Sequence, residues 1–232
     1  LLRSLARGAL LGARGNSGVI LSQLLRGLSD ALAAIPAADG RAFAAALTAA
    51  ADAAYRAVAT PVEGTVLSVA RAAADAATGA DSGDLKVVVG AAATAAREAL
   101  ARTPEQLPAL ARAGVVDAGG RGLCVLFDAL SEVVTGAAVP EGPPLRMPAK
   151  GQAKRERLRA REAGSDEFAY EVQYLLDAAD AAVDTLHERL AGLGDSLVVV
   201  GTGDGTWNVH VHVNDVGGAI EAGVEAGRPY RI

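Results

Sequence analysis

From residue 1 to about residue 135 the apolar residues recur at helical spacing, and only short clusters carrying glycine or proline interrupt them. Val19, Ile20, Leu24, Leu25, Leu28 and Leu32 mark one such face, and Pro36 ends it. Further helical stretches run over 41–58, from Thr65 to about Ala77, over 85–101, and over 121–135. A short helix follows Thr103-Pro104 and Pro108. Alanine is abundant and aromatic residues make up 3% of the 232-residue chain, which favours closely packed helices with small side chains. An antiparallel helical assembly is the economical fold for this part.

From Phe168 the pattern changes. Phe168 to Leu176 alternates as a strand does, 178–193 reads as a helix ending at Gly194, and 196–200 and 207–213 read as two strands. Asn214-Asp215 then opens a helix to about Ala226. Strand, helix, hairpin and helix make a small α+β domain. The expected organisation is a helical domain over 1–137, a Pro- and Gly-rich linker over 138–164, and an α+β domain over 165–232. Within the linker, Lys150 to Arg161 is dense in Lys and Arg, either a solvated surface or a docking patch for an acidic partner.

Two glycine clusters stand before helical stretches. Gly12-Ala13-Arg14-Gly15-Asn16-Ser17-Gly18 has the composition of an anion site, where glycine permits close backbone approach, N–H groups at a helix start are free, and Asn16 and Ser17 add side-chain donors. The plainer reading is a helix connection with Asn16 or Ser17 as an N-cap. The second cluster runs from Gly114 to Gly122 and contains Asp117-Ala118-Gly119-Gly120. Asp117 either accepts a hydrogen bond from a ligand or caps the helix behind it, and Thr65, after Gly64, poses the same choice.

The net charge of -5 disfavours sequence-independent nucleic-acid binding, which needs a basic field. No apolar run has the length of a membrane span, and a cytoplasmic location is expected. The single cysteine, Cys124, lies in an apolar run and reads as a small core residue. Gly201 to Thr206 has the glycines of a dinucleotide loop but precedes a strand, so it reads as a hairpin turn. His210 and His212 are two apart on that strand and share a face, which is either solvated or part of a zinc site completed from elsewhere. The chain opens on Leu1 inside a helical pattern and is expected to be a fragment.

Three of these segments in order, Gly8 to Gly27, Pro61-Val-Glu-Gly-Thr65 and Gly114 to Gly122, resemble the nucleotide-binding domain of dihydroxyacetone-kinase-like proteins. With Leu193 to Val200 and Val209 to Asp215, the resemblance is nearest to catalytic subunits of bacterial fatty acid kinases and spans nearly the whole chain. It implies a barrel of antiparallel helices holding ATP. Gly12, Arg14, Gly15, Asn16, Ser17 and Gly18 would lie at the phosphates, Thr65 and Val66 at the adenine side, and Asp117, Ala118, Gly119 and Gly120 over the base or ribose. It implies an ATP-dependent kinase acting on a fatty acid held by a separate DegV-like carrier protein, with a homodimer as an expected assembly. The alternatives are a small-ketone kinase of the dihydroxyacetone type and a non-catalytic nucleotide-sensing or scaffold subunit. The magnesium-binding aspartates of the family would lie upstream of residue 1, so the chain by itself is expected to be inactive. The family's middle-domain zinc site, a cysteine with a His-x-His pair, maps onto Glu171, His210 and His212, with a carboxylate in place of the thiolate.

Overall fold

A computed structural model describes residues 1–136 and 167–232. The expected linker over 138–164, with its basic run, lies outside the described residues. The protein is mostly helical, with a small four-stranded antiparallel sheet after the helical region. Two compact units are distinguished among the described residues: one of 1–26, 54–61 and 167–232, the other of 27–53 and 62–136.

The first unit contains α1 (Leu2–Gly12), the start of α2 (Gly15–Leu32) and all the strands. Its sheet is built from β1 (Tyr170–Asp177), β2 (Gly194–Gly201), β3 (Thr206–Val213) and β4 (Arg228–Tyr230), in the order β2-β3-β1-β4. Helices α8 (Asp180–Ala191) and α9 (Val216–Ala226) complete it. Alternation places Val172, Tyr174 and Leu176 of β1 and Val209, Val211 and Val213 of β3 on one face, where they form a core with Leu186 and Leu190 of α8 and Ala219 and Ala222 of α9. Tyr174 also donates from its hydroxyl to the Ala219 carbonyl at 3.1 Å, satisfying the one polar atom it buries.

The opposite face is covered too. Val198 and Val200 of β2 pack with Leu10, Ala13 and Val19, and Ala57 and Val58 lie against them. β3 is therefore buried on both sides. The short strand β4 departs from the sequence-based expectation, because three residues centred on Pro229 carry no alternation to read.

In the second unit α4 (Val66–Gly79), α5 (Leu85–Gln106) and α7 (Ala118–Thr135) pack against one another, with the short α6 (Pro108–Ala113) against α5. Alanine makes the approach possible: Ala73, Ala74, Ala77, Ala92, Ala93 and Ala96 are all buried. α3 (Gly40–Ala57) runs through both units, and in the second its Asp52 pairs with Arg71 of α4 at 2.6 Å. Cys124 is buried on α7, as expected, and burial pushes its thiol up to about 11.

Helix α5 corrects the expectation of a break at Thr103-Pro104. Pro104 lacks the N–H that would reach the Leu100 carbonyl, and the Thr103 hydroxyl donates to that carbonyl at 2.8 Å instead. The helix continues to Gln106. Both glycine clusters are also more helical than their composition suggested. α2 begins at Gly15 and α7 at Ala118, so Asn16, Ser17, Gly119 and Gly120 lie in first helical turns, and only Ala13 and Arg14 stand between α1 and α2.

Candidate functional site

The first glycine cluster lies in the first unit. Gly15 has φ +65, a left-handed conformation that a residue with a Cβ adopts at a cost, and it turns the chain into α2. Its N–H is the first unpaired donor of that helix and goes to the Gln173 side-chain oxygen at 3.0 Å. Gly12 and Arg14 are exposed, and Asn16, Ser17 and Gly18 are half-buried. Gly18 packs on Ala13, whose Cα and Cβ would stand 3.3 Å from a Cβ added there.

Thr65, Val66, Asp117, Ala118, Gly119 and Gly120 lie in the second unit, and the fold brings them together. Thr65 is the N-cap of α4 and accepts from the Leu67 N–H at 3.3 Å, while its own hydroxyl donates to the Val62 carbonyl at 2.8 Å. Asp117 is the N-cap of α7. Its carboxylate accepts the Gly120 N–H at 2.6 Å and also the backbone N–H of buried Val66, joining the starts of α4 and α7. Burial raises the Asp117 pKa, and the two backbone hydrogen bonds oppose that rise. A Cβ on Gly120 would meet a Val69 methyl at 2.8 Å, so close packing of α7 on α4 requires glycine there. Of the two roles open to Asp117 and Thr65 in the sequence, both residues fill the capping one.

The histidines lie on the covered face of the sheet. The solvated alternative is corrected: His210 is wholly buried and His212 is 7% exposed. The cause is the packing of α1 and the α2 start over that face, which local alternation does not announce. Glu171 of β1 stands opposite His212 of β3, and Gln173 opposite His210. Glu171, His210 and His212 each offer a ligand atom within 4.8 Å of the others, the one such group among the described residues. Nδ1 of His210 is 3.4 Å from a Glu171 carboxylate oxygen, and the two rings meet edge to face with centroids 5.1 Å apart.

Both nitrogens of His210 and Nε2 of His212 are buried without a hydrogen-bond partner. Such orphaned atoms are costly and rare in folded proteins. Burial, with a smaller contribution from the neighbouring His212, holds the His210 pKa down to about 3, so the ring is neutral and its lone pair available. Two imidazoles and a carboxylate are a donor set that zinc accepts. A shift of register in β2 between Asp195 and Val198, with Ser196 at φ +52, brings Asp195 opposite His212, its carboxylate 3.8 Å from Nδ1.

Sequence reasoning missed Gln173, Asn208 and Asp195. A signal for the first two was present: Asn208, His210 and His212 repeat at period two on β3, as Glu171 and Gln173 do on β1. Five polar residues on paired strands form a polar patch that the covering segment buries in part.

Comparison with known proteins finds two family models in order along the chain. Residues 1–132 match the DAK2 domain, and 167–232 match the FakA-like middle domain of fatty acid kinases. Protein YloV of Bacillus subtilis is 36% identical over 238 aligned positions, which cover 99% of this chain and 43% of that protein. An uncharacterised protein of Staphylococcus saprophyticus is 32% identical over the same span, and one of Staphylococcus aureus is 38% identical over 139 positions. The chain thus spans less than half the length of the first two.

Proposed function

The chain belongs to the DAK2-domain family in its FakA-like form, and on that footing we propose that it is the ATP-binding part of a kinase that phosphorylates a carrier-bound fatty acid. The observation that carries this reading is the succession in one chain of a DAK2 domain and that particular middle domain. A DAK2 match alone would serve equally for a small-ketone kinase of the dihydroxyacetone type. The second match favours the acyl substrate.

In this reading the segment from Gly12 to Gly18 takes the phosphates of ATP, where the N–H groups and dipole of the α2 start favour an anion and Ser17 and Asn16 add donors. Thr65, Val66 and Asp117 to Gly120 are the proposed contacts of the base and ribose. A carboxylate oxygen of the fatty acid attacks the γ-phosphorus, the bond from that phosphorus to the bridging oxygen breaks, and ADP departs. An ionised carboxylate needs no general base, so the work of the protein is positioning and charge stabilisation. A carboxylate cluster for magnesium is not found among the described residues.

We also propose that Glu171, His210 and His212 hold zinc. When bound, the metal would supply a partner for the orphaned imidazole nitrogens and a cross-link between β1 and β3. The partner protein is proposed to be a DegV-like fatty-acid carrier.

Hydroxylamine trapping tests the substrate. Incubated with ATP, magnesium and a carrier-loaded fatty acid, the whole protein that contains this chain is expected to yield the hydroxamate that marks an acyl phosphate. ADP release with dihydroxyacetone, and no hydroxamate from the fatty acid, would overturn the acyl reading in favour of the small-ketone kinase.

A further inference from the structure

Gln173 makes three hydrogen bonds, and two of them go to backbone on either side of Arg14. Its side-chain nitrogen donates to the Ala13 carbonyl at 3.1 Å, and its side-chain oxygen accepts the Gly15 N–H at 3.0 Å. The same nitrogen donates to the Asn208 side-chain oxygen at 3.2 Å. Asn208, on the neighbouring strand and 2% exposed, then donates from Nδ2 to the Leu10 carbonyl at 3.1 Å. The order is self-consistent. Turning either amide over would set nitrogen against nitrogen and oxygen against oxygen along the chain of bonds.

Two side-chain amides of the sheet therefore hold the backbone at Leu10, Ala13 and Gly15, which is the end of α1, the connection and the start of α2. Two further ties join the same helices to the end of β2 and the turn that follows it. Arg26 donates to the Gly201 carbonyl, and Arg7 pairs with Asp204. Backbone recognition of this kind fixes the path of the segment whatever its side chains are.

We propose that Gln173 and Asn208 are positioning residues for nucleotide binding: the middle-domain sheet sets the conformation of the Gly12 to Gly18 segment that receives the phosphates. The inference rests on the nucleotide reading above. It makes the sheet part of the apparatus of the ATP site and not an appended module. It also places the metal group on the same two strands, since Glu171 is two residues from Gln173 and His210 two from Asn208.

The test is calorimetric titration of ATP and of adenosine into the 232-residue chain and its Gln173→Ala variant. A residue that shapes the phosphate segment is expected to lower ATP affinity roughly tenfold or more while leaving adenosine affinity unchanged, because adenosine carries no phosphate. Amide exchange at Gly15 is expected to quicken in the variant with or without nucleotide. Should Gln173→Ala not fold, Gln173→Glu keeps an acceptor for Gly15 and removes the donor to Ala13, and the same two titrations apply. Unchanged ATP affinity in a folded variant overturns the inference, as does an equal loss for ATP and adenosine. A parent chain that binds neither ligand overturns the nucleotide reading itself, and the exchange rate at Gly15 then reports on the clamp alone.

Discussion

His210→Ala is expected to remove zinc from the protein. The parent chain, refolded or purified with zinc and dialysed, is expected to retain about one equivalent, measured as metal content and by competition with a chromogenic chelator. Losing a direct ligand exceeds the roughly 10–100-fold weakening that accompanies loss of an outer partner, so the variant should hold none under the same conditions. Glu171→Cys is expected to act the other way and tighten binding, because a thiolate is the softer donor and the geometry at that position is already set by pairing with His212. If the parent holds no zinc and Glu171→Cys gains none, the three residues are not a metal site and their orphaned nitrogens need another explanation.

The same residue gives the metal-free chain a pH signature. The His210 pKa of about 3 lies below its ordinary value of 6.5, so the unfolded state binds the proton more readily over that interval. The stabilising effect of burying the neutral ring is fully present above pH 6.5 and is lost as the pH falls toward 3.

Asp117→Ala is expected to destabilise the protein by about 2–4 kcal/mol, because one carboxylate caps two helices. The substitution leaves the N–H groups of Val66 and Gly120 without their acceptor at the starts of α4 and α7. Asp117→Asn keeps one oxygen to accept with and is expected to cost roughly half as much. Urea denaturation of both variants checks the pair of values. A loss near zero for Asp117→Ala would mean that the carboxylate is not a cap. Because burial raises the folded pKa of Asp117, the folded state takes up its proton first. This group alone therefore makes stability rise as the pH falls through the interval between its folded value and 3.8.

These two residues also mark how far the sequence could be read. Asp117 was legible as one of two things, a cap or a ligand contact, because an aspartate shortly before a run of glycines satisfies both patterns. Only the neighbouring position of Val66, remote in the chain, shows the second helix that it caps. His210 and His212 were legible as a pair on one face of a strand, since period two is a local property. Whether water reached that face was not local. Leu10, Ala13 and Val19, some two hundred residues away in sequence, pack on that face of the sheet, and nothing in an alternating strand says that a second layer covers it.

The helical and α+β halves were legible because the change from a period of 3.6 to a period of 2 near residue 168 is strong. Glycine misled in its usual way. Gly15, Gly119 and Gly120 look like loop residues, but Gly15 is used for its left-handed backbone and Gly120 for its missing Cβ, both within helix starts. Gln173 gave no signal by itself. A glutamine at a half-buried strand position has many uses, and its role appears only when the carbonyl of Ala13 and the N–H of Gly15 are found on either side of its amide.

The segment from Gly12 to Gly18 is proposed to bind the phosphates of a nucleotide. Titration of ATP into the chain and into Ser17→Ala tests it most directly, with adenosine as the reference ligand. Saturable binding of ATP that weakens in Ser17→Ala, beside adenosine binding that does not change, is the predicted result. ATP binding that is indifferent to Ser17 and no stronger than that of adenosine would contradict it.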